Sequence, residues 1–344
     1  MKIVILSVIT IFAFVACVQG GSSVSNNGTE ELRPELKDSA VVETVVPPAR
    51  PISRKSSFKP FPEIQVPAVC SDDSEKMDYV AEHFWDRYFK EGGRTDSATV
   101  LGVRRLEVEK AFVNYVSFLD NVPMATAQKS IITLFEKLEN EQARDTTKLT
   151  YLQFTEIVSK YLYDPNSPVR NEDYYLPFVV RMAKCPFTRD DMVPAYRYEA
   201  KMCAMNQYGT VAPDFQFRTL KGKVYSLHSI KADYTMLFFS NPYCESCKSI
   251  IQDVMTRRYM NDYIVNGKVA VVNVYIDEEV EKWREYAPNY PQSWYSGYDF
   301  LFKIRNDEDY NVRAIPSLYL LDKDKKIIMK DAPTEKVLGF LDRL

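Results

Sequence analysis

Apolar positions recur at helical spacing through residues 71–206 and change to short strand-like runs from about residue 207. Ser71, Asp72, Asp73 and Ser74 offer N-caps ahead of a stripe made by Met77, Val80, Ala81, Phe84, Trp85 and Tyr88. A second stripe runs from Val108 to Leu119, a third from Ala127 to Leu138, and a fourth from Leu149 to Tyr161. Asp164-Pro165-Asn166-Ser167-Pro168 breaks the pattern as a turn, and further helices are expected over 172–182 and 190–206. Residues 67–206 therefore read as an all-helical domain. In residues 207–344 a turn at Lys221-Gly222-Lys223 separates short strands, and a central strand spans 234–240. The stretch at 269–276, apolar but for Asn273, has the composition of a strand covered on both faces. A helix over 278–286, a hairpin around 322–326 and a last helix holding Val337, Leu338 and Leu341 follow. Strands alternating with helices predict an α/β sheet for this half.

The first 66 residues do not fit either pattern. Lys2 precedes an apolar run over 3–16, which is too short to span a bilayer and reads as a signal-peptide core. It ends in Phe14-Val15-Ala16-Cys17, which resembles a bacterial lipobox; that resemblance implies cleavage before Cys17 and lipidation of its thiol, giving a signal peptide over 1–17. An ordinary secretory signal with an incidental cysteine is the alternative. No later segment is apolar over enough length to be transmembrane. Residues 18–66 carry Gly20-Gly21-Ser22-Ser23 and six prolines but no apolar period, so they read as a disordered tether.

Composition narrows the function classes. At 344 residues and 46% hydrophobic content the chain has material for two cores. A net charge of -3 and a pI near 5.7, without a basic stripe, give no reason to expect nucleic acid as a partner.

The six cysteines change the picture most. Cys244 and Cys247 stand three residues apart, directly after the apolar strand and at the start of a helical pattern continued by Ile250, Ile251, Val254 and Met255. A strand feeding a helix places Cys244 at the helix N-terminus, where unpaired amides and the positive dipole end favour a thiolate. Cys247, one turn on, shares its face and can close a disulfide. This is the arrangement of a dithiol exchange catalyst. A structural disulfide fits the same spacing. A zinc site needs four ligands, and a cysteine-histidine hydrolase needs a positioned base; only His83 and His228 are present, with no second CxxC. No cofactor and no metal is implied. Cys203 is in register with Val193, Tyr196 and Ala200 and reads as a buried core thiol, while a bridge of Cys185 to Cys203 or to Cys70 stays open.

Residues 207–344 resemble the thioredoxin superfamily, in particular its exported, membrane-anchored TlpA/ResA-like branch. Val211-Ala212-Pro213-Asp214-Phe215, Asn241-Pro242-Tyr243-Cys244-Glu245-Ser246-Cys247 and Ala314-Ile315-Pro316-Ser317 carry the resemblance. It implies that Pro316 is cis and faces the dithiol, and that Ile315 offers backbone groups to an extended substrate segment. Residues 67–206 resemble an uncharacterised helical domain found ahead of thioredoxin-like domains in Gram-negative lipoproteins. Ala81-Glu82-His83-Phe84-Trp85-Asp86 and the segment from Tyr163 to Arg170 carry that likeness. The chain departs from the family in having Tyr243 where a Trp is usual, Glu-Ser between the cysteines, no buried acid in the strand over 234–240, and an aromatic segment over 286–300. That segment reads equally as a lid beside Cys244 and as packing against the sheet.

The residues thus point to a thiol:disulfide oxidoreductase of the cell envelope. Cys244 is expected to attack and Cys247 to resolve, and the resemblance implies that Tyr243, Ile315 and Pro316 meet the substrate. Glu245 opposes a thiolate while Lys248 and the helix terminus favour it; the dipole is worth about 0.3–1 kcal/mol and an exposed carboxylate a similar amount, so a middling or reductant-like potential is expected. Expected partners are protein thiols or disulfides and a membrane or envelope redox protein, with a Gram-negative, periplasm-facing location and a lipid anchor. The alternative is a non-catalytic envelope scaffold.

Overall fold

Asp72 caps the first helix, as the polar run around it predicts. Its carboxylate accepts from the Glu75 amide at 2.8 Å and satisfies a donor that the first turn leaves unpaired. The computed structural model describes residues 58–344. The signal peptide over 1–17, Cys17 and most of the expected tether lie outside the described residues. Helices α1 (Asp73–His83), α2 (Asp86–Glu91), α3 (Arg105–Leu119), α4 (Met124–Arg144), α5 (Thr150–Val158), α6 (Glu172–Met182) and α7 (Val193–Cys203) follow the apolar stripes. The first stripe divides between α1 and α2, and one π-helical turn, Ser159–Tyr163, extends α5. Trp85, Phe112, Tyr115, Phe135, Phe154 and Phe178 fill the core between them. Their rings meet edge-on, as in the pairs Trp85–Phe154 at 5.3 Å and Phe135–Phe178 at 5.0 Å.

Two features depart from the expectation. A small hairpin, β1 (Thr99–Val100) and β2 (Val103–Arg104), interrupts the helices. Leu101 and Gly102 both have positive φ, the turn geometry that matches strand twist. The tether expected to reach residue 66 instead joins the fold from about residue 58. Lys59 bridges to Val103, and the Phe61 ring stacks on Tyr88 at 5.3 Å and meets Trp85 edge-on at 5.5 Å. One aromatic residue in a proline-rich stretch shows no period, so the pattern did not reveal this packing.

The second half is a seven-stranded mixed sheet with helices α8–α12. Its strands are β3 (Gln216–Thr219), β4 (Val224–Ser226), β5 (Tyr234–Phe239), β6 (Val269–Tyr275), β7 (Tyr295–Tyr298), β8 (Ser317–Asp322) and β9 (Ile327–Met329), in the order β4-β3-β7-β6-β5-β8-β9. The helices are α8 (Glu245–Thr256), α9 (Arg258–Val265), α10 (Val280–Tyr286), α11 (Lys303–Asn306) and α12 (Thr334–Leu341). Strands β5, β6 and β7 run parallel, and β8 returns antiparallel beside β5. Successive residues of β5 serve opposite faces. Met236 and Phe238 pack with Ile250 and Val254 of α8 and Leu338 of α12, whereas Leu237 and Phe239 pack with Phe215, Tyr310 and Tyr319. Burial on both faces explains the continuous apolar composition of β6, whose seven residues are all buried.

Strand β7 lies in the aromatic segment and was not foreseen as a strand. Gly297 permits it: a Cβ there would meet Phe217 at 2.6 Å and the Arg218 carbonyl at 2.8 Å, on the neighbouring β3. Among the described residues no helix is long and apolar enough to cross a membrane.

Candidate active site

The apolar chemistry of β5 ends at Ser240, and the chain turns through Asn241-Pro242-Tyr243 into α8. Asn241 Nδ2 donates to Asp277 Oδ2 at 2.6 Å, and Asp277 is ion-paired with Arg305. Tyr243 sits in the left-handed region with φ +61° and leaves its side chain exposed. Cys244 then occupies the N-cap of α8 with extended backbone, and its Sγ accepts from the Cys247 amide at 3.1 Å. That amide is one of the donors a helix start leaves unpaired, and it is already aimed at the sulfur that would become a thiolate on reduction.

Cys244 and Cys247 are joined by a disulfide, with their Cα atoms 5.2 Å apart. Their exposure is unequal. Cys244 is half-buried, while Cys247 is packed into the cluster beneath α8 with only 1% exposure. An incoming sulfur therefore meets Cys244 first. Lys248 lies next to the pair but is engaged by Glu245 at 2.6 Å on the exposed face of the helix. The carboxylate raises the Lys248 pKa through that hydrogen bond, and the two opposing charges seen in the sequence largely neutralise each other.

The Ile315–Pro316 peptide is cis. Ser317 opens β8 opposite Phe239, the last residue of β5. Pro316 therefore stands at the end of the sheet from which the Cys244 turn departs. Ile315 packs against the same cluster as Cys244 and Cys247. The register thus brings together the residues proposed from sequence as the dithiol and the substrate rest.

The aromatic segment divides in two. The Tyr243 ring meets Tyr286 edge-on at 5.2 Å, and Tyr286 meets Tyr290 in the same way at 5.2 Å. Trp294 and Tyr298 are instead buried, Trp294 beneath α8 and Tyr298 beside Trp283. Tyr290 leads below the surface to a buried polar group that sequence reasoning missed. Ser240 Oγ donates to Asn273 Oδ1 at 2.5 Å and lies 3.5 Å from the Tyr290 hydroxyl. Burial raises the Tyr290 pKa, so its phenol stays protonated and available as a donor. The signal for this group was Asn273, a lone amide in the otherwise apolar run at 269–276.

Cys70, Cys185 and Cys203 are free thiols, and neither of the bridges left open by the sequence is formed. Burial pushes the Cys185 thiol up and the Cys203 thiol far up. After reduction, Cys70 and Cys244 are expected to alkylate first, with Cys185 and Cys203 slower by about 10²-fold or more until denaturant is added. Timed iodoacetamide labelling followed by peptide mass spectrometry measures this; Cys203 labelling as fast as Cys70 in the native protein would contradict the burial. His83 pairs with Asp86 at 2.7 Å, and His228 Nε2 contacts the Ala212 carbonyl at 2.8 Å, each in a local structural contact.

Comparison with known proteins agrees with this architecture. Residues 26–202 match a family described as a domain of unknown function, DUF5106, and residues 232–327 match one described as thioredoxin-like. The crystal structure of a thioredoxin-like protein from Bacteroides caccae ATCC 43185 superposes with a TM-score of 0.69 at 30% identity, covering 83% of this chain and 99% of that one. The thioredoxin-like protein YneN of Bacillus subtilis is 31% identical over 123 residues, spanning 34% of this chain and 66% of that relative. The thiol-disulfide oxidoreductase ResA of Bacillus cereus is 26% identical over 147 residues, spanning 40% of this chain and 79% of that relative.

Proposed function

The chain belongs to the thioredoxin-like family of oxidoreductases, with a DUF5106 region ahead of the dithiol domain, and we propose that it exchanges disulfides with other proteins of the cell envelope through Cys244 and Cys247. The observation that carries this reading is the disulfide at the mouth of α8, with one sulfur accessible and the other buried. In the reducing direction the Cys244 thiolate attacks one sulfur of a substrate disulfide. The substrate S–S bond breaks, a Cys244–substrate bond forms, and the displaced sulfur leaves as a thiolate that takes up a proton. Cys247, deprotonated, then attacks Cys244 Sγ. This forms the 244–247 disulfide, releases the second substrate sulfur as a thiolate, and has moved two electrons to the substrate. The oxidised pair is returned to the dithiol by a second exchange with an external dithiol protein, for which a membrane or envelope redox partner is the proposed source. Run backwards, the same steps oxidise.

Tyr243, Ile315 and Pro316 are proposed as the surface on which an extended substrate segment rests. A boundary between the halves at 206/207, export by the signal over 1–17, lipidation at Cys17 and a periplasm-facing site in a Gram-negative envelope are part of the same proposal. The boundary rests on the change from helical to strand period, and the rest on the N-terminal sequence pattern. Trapping tests the whole reading: Cys247→Ser is expected to accumulate mixed disulfides with envelope proteins on non-reducing gels. The Cys244→Ser/Cys247→Ser double variant should give none. Equal adduct patterns for wild type and both variants would leave the α/β half as a scaffold.

A further inference from the structure

The loop that carries cis Pro316 is tied to the helical half by buried charges at both of its ends. On the leading side, Arg313 Nε lies 2.8 Å from Glu172 Oε1, and its guanidinium covers the Tyr163 ring at 4.2 Å while also donating to the Tyr163 carbonyl. On the trailing side, Ser317 Oγ donates to Asp331 Oδ1 at 2.8 Å. Asp331 Oδ2 accepts from Arg313 at 2.8 Å, which closes the loop on itself. Arg170 of the helical half donates to the Asp331 and Ala332 carbonyls at 2.8 and 3.1 Å. Glu172 also faces Lys330 at 2.7 Å, with both side chains 1% exposed. Glu172 is the first residue of α6, where the helix terminus favours a carboxylate.

We propose that the helical half positions the substrate-binding loop, with Glu172 and Arg170 as its positioning residues acting through Arg313, Asp331 and Ser317 on Ile315 and Pro316. This rests on the exchange reading above and extends it: the helical half is part of the apparatus that grips an extended polypeptide. Buried ions cannot drift without losing their partners, so the loop has one arrangement. Backbone pairing to a substrate strand is sensitive to displacements of a fraction of an ångström. A small aromatic disulfide has no strand to pair and needs only Cys244. Disturbing the tie therefore separates the two substrate classes, which a loss of the dithiol chemistry does not.

The test uses the full chain with Glu172→Gln, which keeps the shape and removes the charge, and Ser317→Ala, which leaves every ion pair in place. Steady-state kinetics are measured with a disulfide-bonded polypeptide and, in parallel, with 5,5′-dithiobis(2-nitrobenzoic acid). Both variants are expected to raise KM for the polypeptide by roughly 10-fold with kcat nearly unchanged, the signature of lost binding common to ground and transition states. The rate with the small disulfide should stay at the wild-type value. Should Glu172→Gln fail to fold, Ser317→Ala decides alone. An unchanged polypeptide KM, or equal losses with both disulfides, overturns the positioning role. A wild-type chain inert towards both disulfides overturns the exchange reading and this inference with it.

Discussion

Cys244→Ser is expected to lower turnover of a protein disulfide by at least about 10³-fold, because a hydroxyl at that position supplies no thiolate to open the substrate bond. Cys247→Ser should behave differently. Its first step survives, since Cys244 is the accessible sulfur and keeps the amide of residue 247 as its donor. The variant should therefore consume about one equivalent of substrate and stop at the mixed disulfide. Insulin reduction followed by turbidity, with single-turnover quenching on non-reducing gels, separates the two. If Cys244→Ser retained turnover while Cys247→Ser lost the first step, the buried sulfur would be the attacker and the order given above would be reversed. Loss of neither would remove the dithiol from the activity altogether.

Lys330→Ala is expected to cost about 3–5 kcal/mol of stability, the scale for removing one partner from a buried ion pair. The side chain is 1% exposed, and its ammonium has two carbonyls and one carboxylate around it. It donates to the Cys203 and Met205 carbonyls at 3.0 and 2.5 Å and faces Glu172 at 2.7 Å. Cys203 ends α7 and Met205 follows its C-cap, so the cation bonds acceptors at and just past the helix end and meets the negative end of the helix dipole. Removing it leaves the buried Cys203 carbonyl and the half-buried Met205 carbonyl without this donor and half of the compensation at Glu172 missing. Lys330→Met, which keeps the volume, should lose nearly as much, because packing is not what the residue supplies. Urea unfolding followed by circular dichroism measures both. A loss below about 1 kcal/mol in both variants would show that water reaches the cluster and screens it.

What the sequence made legible was what is local and periodic. The apolar run of β6, the cysteines at the start of α8, the hairpin of β8 and β9, and the helical stripes of α3 and α4 all lie where their patterns put them. Residues 58–66 and β7 were not legible, for different reasons. Phe61 is a single ring among prolines, and its contacts with Tyr88 and Trp85 depend on the helical core already being assembled. Strand β7 is four residues long with Gly297 inside it, so neither propensity nor alternation marks it; its place is set by close approach to β3. At the site, Cys244, Cys247 and the Ile315–Pro316 turn were readable as motifs. Glu172, Arg170, Arg313 and Lys330 were not, since each reads as an ordinary surface charge until the fold brings them together out of water. Asn273 did leave a signal, a polar residue inside an otherwise apolar strand, but it was not read.

The sealed charges between α6 and the β8–β9 edge bear on how a client protein is met. Lys330 and Asp331 of the sheet half are nearly solvent-free and Arg313 is 11% exposed, and Glu172 and Arg170 of the other half stand against them. Hinging the halves apart would strip these ions of company before water could replace it, at a cost of about 3–5 kcal/mol for each buried pair broken. The outer wall of the helices and the reactive sulfur are thereby kept at a constant span, like the jaws of a locked caliper. A client that touches both must fit that span, so its size and shape, as well as its cysteines, decide whether it reacts.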